Sequence, residues 1–246
     1  MEFYLYTALF APLVGSLFAA LFGMSKKNLI AGIVPSALLF TSFLASLYLA
    51  IYILGGGAPI QVEMMTWMAT GDLYIPYGFV VDQVSVTMMM VVTTVSTVVH
   101  VYSVGYMDHD KAFNRFFAWL SAFVFSMMVL VMSDNLLGLF IGWEGVGVCS
   151  WALIGFWYHK ESATWAANEA FIMNRIADLA MLIGIFLVYW NTGSIRYDEF
   201  FAALPALEPA VLTTMGIFLF IGAMGKSAQF PLHTWLADAM EGPTPV

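Results

Sequence analysis

Gly225–Val246 reads GKSAQFPLHTWLADAMEGPTPV, and this stretch decides the fold. It begins where a long apolar run, Val211–Met224, meets Lys226, and Pro231 follows five residues later. A proline inside a helix removes its own N–H donor, and its ring clashes with the carbonyl four residues back, here that of Ser227. Broken backbone at membrane depth survives only where it is buried in protein or lines a hydrated cavity. An ionisable residue there is a functional hypothesis whose partner has to be named. The expected partner is Glu144, inside another apolar run, in Gly142-Trp143-Glu144-Gly145-Val146-Gly147.

Working outward, 61% of the 246 residues are hydrophobic and only 10% are charged. Soluble domains carry about 25% charged residues, so the fold class is an all-α polytopic membrane protein, read as a single membrane domain over residues 1–246. The net charge of −8 argues against nucleic acid as a partner. Cys149 is the sole cysteine, which excludes an internal disulfide and an iron–sulfur cluster held by this chain alone. The acidic start, Met1-Glu2-Phe3, lacks the basic segment of a cleaved signal, so the first apolar run is expected to be a retained span.

A span needs about 20 mostly apolar residues. Seven runs qualify: Phe3–Gly23, Leu29–Leu54, Val80–Gly105, Phe116–Met132, Leu136–Trp157, Trp165–Trp190 and from Ala210 onward, the seventh broken near Lys226–Pro231. Alternate connections carry Lys26, Lys27, Lys111, Arg115 and Lys160 on one side, against Arg196 alone on the other. That is five basic residues against one, which places the N-terminus outside. The outside connection Gly55–Phe79 is rich in Gly and Pro with alternating apolar residues and is read as a loop or short β-hairpin. The connection Asn191–Pro209 is acidic and is read as a solvated loop with a short surface helix.

Glu144 lies about nine residues into span five, roughly 14 Å at helical rise and near the bilayer middle. Gly138, Gly142 and Gly145 recur on another stripe of that helix, where a neighbour can approach closely. In span six, Arg175 and Asp178 stand at i,i+3 on one face, again at mid-membrane. Each charge also has a plain structural reading: a permanently protonated carboxyl for Glu144, a static pair for Arg175–Asp178, and snorkelling for Lys226. Taken together they favour a functional set in which Arg175 exchanges partners between Asp178 and Glu144. Closing or opening a Glu144–Lys226 contact would then decide whether Lys226 holds its proton. Asp82 and Gln83 open span three as a helix start favourable to the dipole, Asp134-Asn135 resembles a cap for span five, and His100 is read as a hydrogen-bonded packing residue or a member of a proton path. His109 and His159 fall in inside connections and His233 in the break region. The many Phe, Trp and Met side chains are read as packing and lipid-facing residues, with no cofactor box.

GKSAQFPLHTWLADAMEGPTPV, IGWEGVGVCSWALIGFWY and AFIMNRIADLAMLIGIF closely resemble the subunit L family of bacterial NADH-quinone oxidoreductase (respiratory complex I), counterpart of mitochondrial NADH dehydrogenase subunit 5. The family is similar to subunits of multisubunit cation/proton antiporters, and the Glu-Gly-Pro-Thr-Pro version here looks more like the complex I subunit. The resemblance implies an antiporter-like fold with inverted repeats of five helices, and proton translocation through Glu144, Lys226, Arg175 and Asp178. It implies no cofactor or metal on this chain, with NADH, FMN, iron–sulfur clusters and quinone on partner subunits. Its implied partners are other membrane subunits, especially an adjacent antiporter-like one, in a bacterial inner membrane. Ala237 departs from the family's usual proline, and the chain reads as the N-terminal portion of a longer subunit. A Na⁺ or K⁺/proton antiporter subunit and an assembly scaffold remain open as alternative readings.

Overall fold

The computed structural model describes residues 1–23, 28–71 and 73–245. Lys26 and Lys27, which entered the orientation count, lie outside the described residues, as does Val246. Seven helices among the described residues are long and apolar enough to cross a membrane: α1 (Glu2–Phe22), α2 (Ile30–Leu54), α3 (Gln83–Tyr106), α4 (Phe113–Met132), α5 (Leu136–Ile154), α6 (Glu161–Thr192) and α8 (Pro209–Lys226). The short α7 (Tyr197–Ala203) precedes α8, and α9 (Thr234–Asp238) follows the break. These match the seven expected spans, with shifted ends. Span three starts later than expected because Val80 and Val81 belong to a strand.

The Gly55–Phe79 connection forms a full antiparallel hairpin, β1 (Ile60–Thr70) and β2 (Leu73–Val81), paired from Ile60↔Val81 to Thr70↔Leu73. Its inner strand is stitched to the rest of that side. Phe79 bridges Ser133 between α4 and α5, and Asn135 bridges Arg196 before α7. Asn135 also caps α5, accepting from the N–H groups of Leu137 and Gly138 at 3.1 and 2.8 Å, and donates to the Pro76 carbonyl at 3.0 Å. Asp82 caps α3 through a reciprocal capping box with Ser85. Both caps stand where the sequence placed them. On this side the phenols of Tyr197 and Tyr77 are pushed above their ordinary range, by burial in both and also by Asp134 for Tyr197.

α1 runs antiparallel to α2: Ser42 donates to the Ala8 carbonyl at 2.6 Å, and Gly15 lies against Pro35. The chain start therefore shares the hairpin side. Lys111, Arg115 and Lys160 lie at the opposite ends of the helices, as the alternation of connections requires.

Small residues set the helix spacing. A Cβ at Gly142 would run into the backbone of Leu130, and one at Gly145 would stand 2.7 Å from Ser126 Oγ, so α5 sits directly on α4. On the other flank Gly225 meets Ala177, and a Cβ at Gly222 would lie 2.6 Å from Met181, bringing α8 onto α6. Without a hydrophobic drive between helices in lipid, such close backbone approach is what holds a bundle together. α6 has 32 residues, about 48 Å at 1.5 Å each, and outlasts a bilayer core of about 30 Å. It ends on Gly193 in the left-handed conformation at φ 75°, which glycine adopts without penalty.

Candidate functional site

The end of α8 fixes the first member of the site. The helix stops at Lys226, earlier than Pro231 itself, with Ser227 as its cap and Ala228 at φ 49°. Pro231 follows in the connecting turn, and helical backbone resumes at Thr234. The carbonyls at a helix end lack intrahelical partners. That of Gly225 accepts from the indole N–H of Trp235 at 3.1 Å, with Trp235 packed against the end of α5 and the start of α6.

Glu144 on α5 and Arg175 on α6 form a direct ion pair through Oε2 and Nη1. The guanidinium also lies over the Phe171 ring, 4.5 Å from its centroid. Asp178, 3% exposed, accepts from Trp143 Nε1 at 2.7 Å. Asp178 and Lys226 line the same cavity and meet on Trp143, which binds the one and lies under the other. The Lys226 ammonium lies 5.8 Å from the centre of the Trp143 ring, and a Cβ at Gly147 would come within 2.9 Å of it.

This arrangement corrects one sequence expectation, the partner of Lys226, and gives Arg175 one of its two expected partners. Lys226 faces Asp178, where the sequence suggested Glu144. Arg175 pairs across to Glu144 and leaves its i,i+3 neighbour Asp178 to Trp143 and Lys226. The reason is packing: α8 docks on α6 through Gly222 and Gly225, and this carries Lys226 to the face that bears Asp178. All four predicted residues nonetheless belong to one polar layer spanning α5, α6 and α8.

Trp143 and Asn174 are the members that sequence reasoning passed over. Trp143 carries an N–H that must find a partner once buried, and it sits beside a glutamate inside a span, which is the signal that could have found it. Asn174 donates to the Ala170 carbonyl at 2.7 Å, while its Oδ1 and Glu144 Oε1 are buried acceptors with no donor among the described residues. Arg175, Asp178, Lys226, Trp143 and Asn174 line one cavity of about 490 Å³. With both acids and both bases charged, the layer sums to zero, so moving one proton in or out unbalances it.

The remaining sequence candidates fall elsewhere. His100 is fully buried, with Nδ1 2.9 Å from the Ser96 carbonyl and Nε2 3.0 Å from Ser121 Oγ. The carbonyl can only accept, which puts the proton on Nδ1 of the neutral ring and lets Nε2 accept from Ser121. His233 is exposed, and Glu241 accepts from Ser162 at 3.1 Å beyond the break. Among the described residues, no three of His, Cys, Asp or Glu come together as a group that could hold a metal ion.

Residues 133–246 match a family model described as NADH:quinone oxidoreductase/Mrp antiporter, TM. Residues 67–117 match one described as NADH-Ubiquinone oxidoreductase (complex I), chain 5 N-terminus. NADH-quinone oxidoreductase subunit L of Campylobacter jejuni is 55% identical over 239 residues, covering 97% of this chain and 39% of the relative. The subunit L of Neisseria meningitidis serogroup B is 44% identical over 265 residues, covering 100% of this chain and 38% of the relative. The chain thus spans about two-fifths of the length of these relatives. Among solved structures, a chain of the Mrp complex from Dietzia sp. superposes with a TM-score of 0.81 at 25% identity, covering 99% of this chain and 25% of that one.

Proposed function

This chain belongs to the subunit L family of NADH-quinone oxidoreductase, and from that premise we propose that it moves protons across a bacterial inner membrane as part of that complex. It is a multi-pass membrane protein, and the hairpin side is assigned to the outside by the basic residues at the opposite helix ends. NADH oxidation and quinone reduction take place on partner subunits, which carry the FMN and iron–sulfur groups. Its direct partners are other membrane subunits, especially an adjacent antiporter-like one.

The observation that carries this reading is the polar layer itself: Asp178, Arg175 and Lys226 line one cavity, and Glu144 joins them through its ion pair with Arg175. Arg175 is the shared element. While it holds Glu144, Asp178 is free to stabilise the Lys226 ammonium. When Arg175 turns to Asp178, that carboxylate is neutralised and Lys226 gives up its proton more readily. Two charges 4 Å apart at an effective dielectric of 20 interact by about 4 kcal/mol, enough to load or unload a buried amine. The energy for the switch would arrive through the partner subunits.

The test is NADH-driven acidification of inverted membrane vesicles carrying Glu144→Gln or Lys226→Ala. Both variants are expected to lower proton pumping, with NADH oxidation falling alongside. Normal pumping by both, in normally assembled complex, contradicts the assignment. Proton movement that needs Na⁺ or K⁺ and ignores NADH would transfer the chain to the cation/proton antiporter reading. Loss of assembly, with normal pumping in whatever complex survives, would favour a scaffold. The identities of 55% to a subunit L and 25% to an Mrp chain favour the first.

A further inference from the structure

A second cavity, of about 340 Å³, lies on the side away from the hairpin. His100 and Ser96 of α3, Leu153 of α5 and Ala239 beyond the break line it. It is neighbour to the Lys226 cavity, because Phe123, Ser150 and Trp235 line both. Of these three only Ser150 is polar. Trp235 is the largest, and it is anchored by the same hydrogen bond that ties it to the Gly225 carbonyl, one residue before Lys226. Both spaces can hold several waters at about 30 Å³ each, and both offer polar partners: the Ser96 and Ser150 hydroxyls and His100 in one, Asn174, Arg175, Asp178 and Lys226 in the other.

We propose that the Trp235 indole is the partition between these two cavities and sets how readily water and protons pass from the His100 cavity to Lys226. This rests on the reading of Lys226 as the proton-bearing group. The partition is linked to the amine it guards. Trp235 cannot swing out of the shared wall without giving up its bond to the Gly225 carbonyl, which then keeps the Ala228 N–H. Ser150 provides the polar stepping point at the junction. The neutral His100 ring, fixed by the Ser96 carbonyl and Ser121, can take a proton on Nε2 once the Ser121 hydroxyl rotates to accept.

The test reads water access directly, in the complete complex in inverted vesicles with Cys149→Ser as background. Ser96→Cys reports the His100 cavity and Val146→Cys the Lys226 cavity. Each is exposed to a small, permanently charged thiol reagent on the inner face, which modifies only a hydrated thiolate. Ser96→Cys is expected to react and Val146→Cys to react slowly. Trp235→Ala should speed Val146→Cys by about tenfold or more while leaving Ser96→Cys unchanged. Trp235→Phe, which keeps a ring but loses the N–H that binds the Gly225 carbonyl, should speed Val146→Cys by less than Trp235→Ala does. Should Trp235→Ala not assemble, Trp235→Val takes its place. A Val146→Cys rate indifferent to residue 235, or full opening by Trp235→Phe, overturns the proposal. Failure of the pumping role itself would show as normal pumping in Lys226→Ala, a result that leaves these labelling rates as they are.

Discussion

Replacing Asp178 by asparagine removes one charge while preserving shape and the acceptor for Trp143. Asp178 is almost fully buried and lines the same cavity as Lys226. For unit charges about 6 Å apart at an effective dielectric of 20, the lost attraction is about 3 kcal/mol. The Trp143 bond weakens as well, since an amide oxygen is a poorer acceptor than a carboxylate, by about 1 kcal/mol. The free energy that keeps a proton on Lys226 thus falls by about two powers of ten in occupancy. Pumping by inverted vesicles, driven by NADH and normalised to assembled complex, is expected to drop to about a tenth of the parent rate or lower. Asp178→Glu, which restores the charge at a longer reach, should recover part of it. Parent-like pumping by Asp178→Asn at equal assembly would refute the reasoning, because it would mean that Lys226 does not depend on the charge opposite it.

Other outcomes follow from the packing and the outer cap. Gly142→Ala drives a Cβ into the Leu130 backbone, so the complex should melt lower, by about 1–3 kcal/mol of lost stability, with Glu144 displaced and pumping reduced. Asn135→Ala removes the cap of α5 and the link to Pro76, and should cost about 1–2 kcal/mol in the thermal unfolding of purified complex. The raised phenols of Tyr77 and Tyr197 favour the neutral form in the folded chain, so their contribution is present below the ordinary phenol pKa of about 10 and is lost as pH rises above it. Melting temperature should fall from pH 10 upward, and more gently in the Tyr77→Phe/Tyr197→Phe double variant.

What could be read in the sequence was whatever depends on one helix at a time. Span number follows from the length of apolar runs, and Asp82 and Asn135 announce their caps because a side-chain acceptor just before a helix has one obvious task. The break after Lys226 was legible as a break, though the helix ends earlier than Pro231 requires, because proline fixes only where helix cannot continue. Which of its two expected partners Arg175 would hold, and that Lys226 would meet Asp178, were not legible. Arg175 has Asp178 one turn away on its own helix, and its preference for Glu144 depends on how closely α5 and α6 approach. Lys226 reaches Asp178 because Gly222 and Gly225 let α8 settle on α6, a docking choice that no single run encodes. Trp143 looked like one more packing aromatic until its N–H was found on a buried carboxylate.

The most direct measurement is a density map of the complete complex, at a resolution that shows ordered water around Lys226. The expected result is water in contact with the Lys226 amine, with Asp178 and with the Asn174 Oδ1 in one shared passage. An amine lying against acyl chains, with the Asp178 carboxyl turned to a separate dry pocket, would contradict the claim that this acid and this base hold the proton between them.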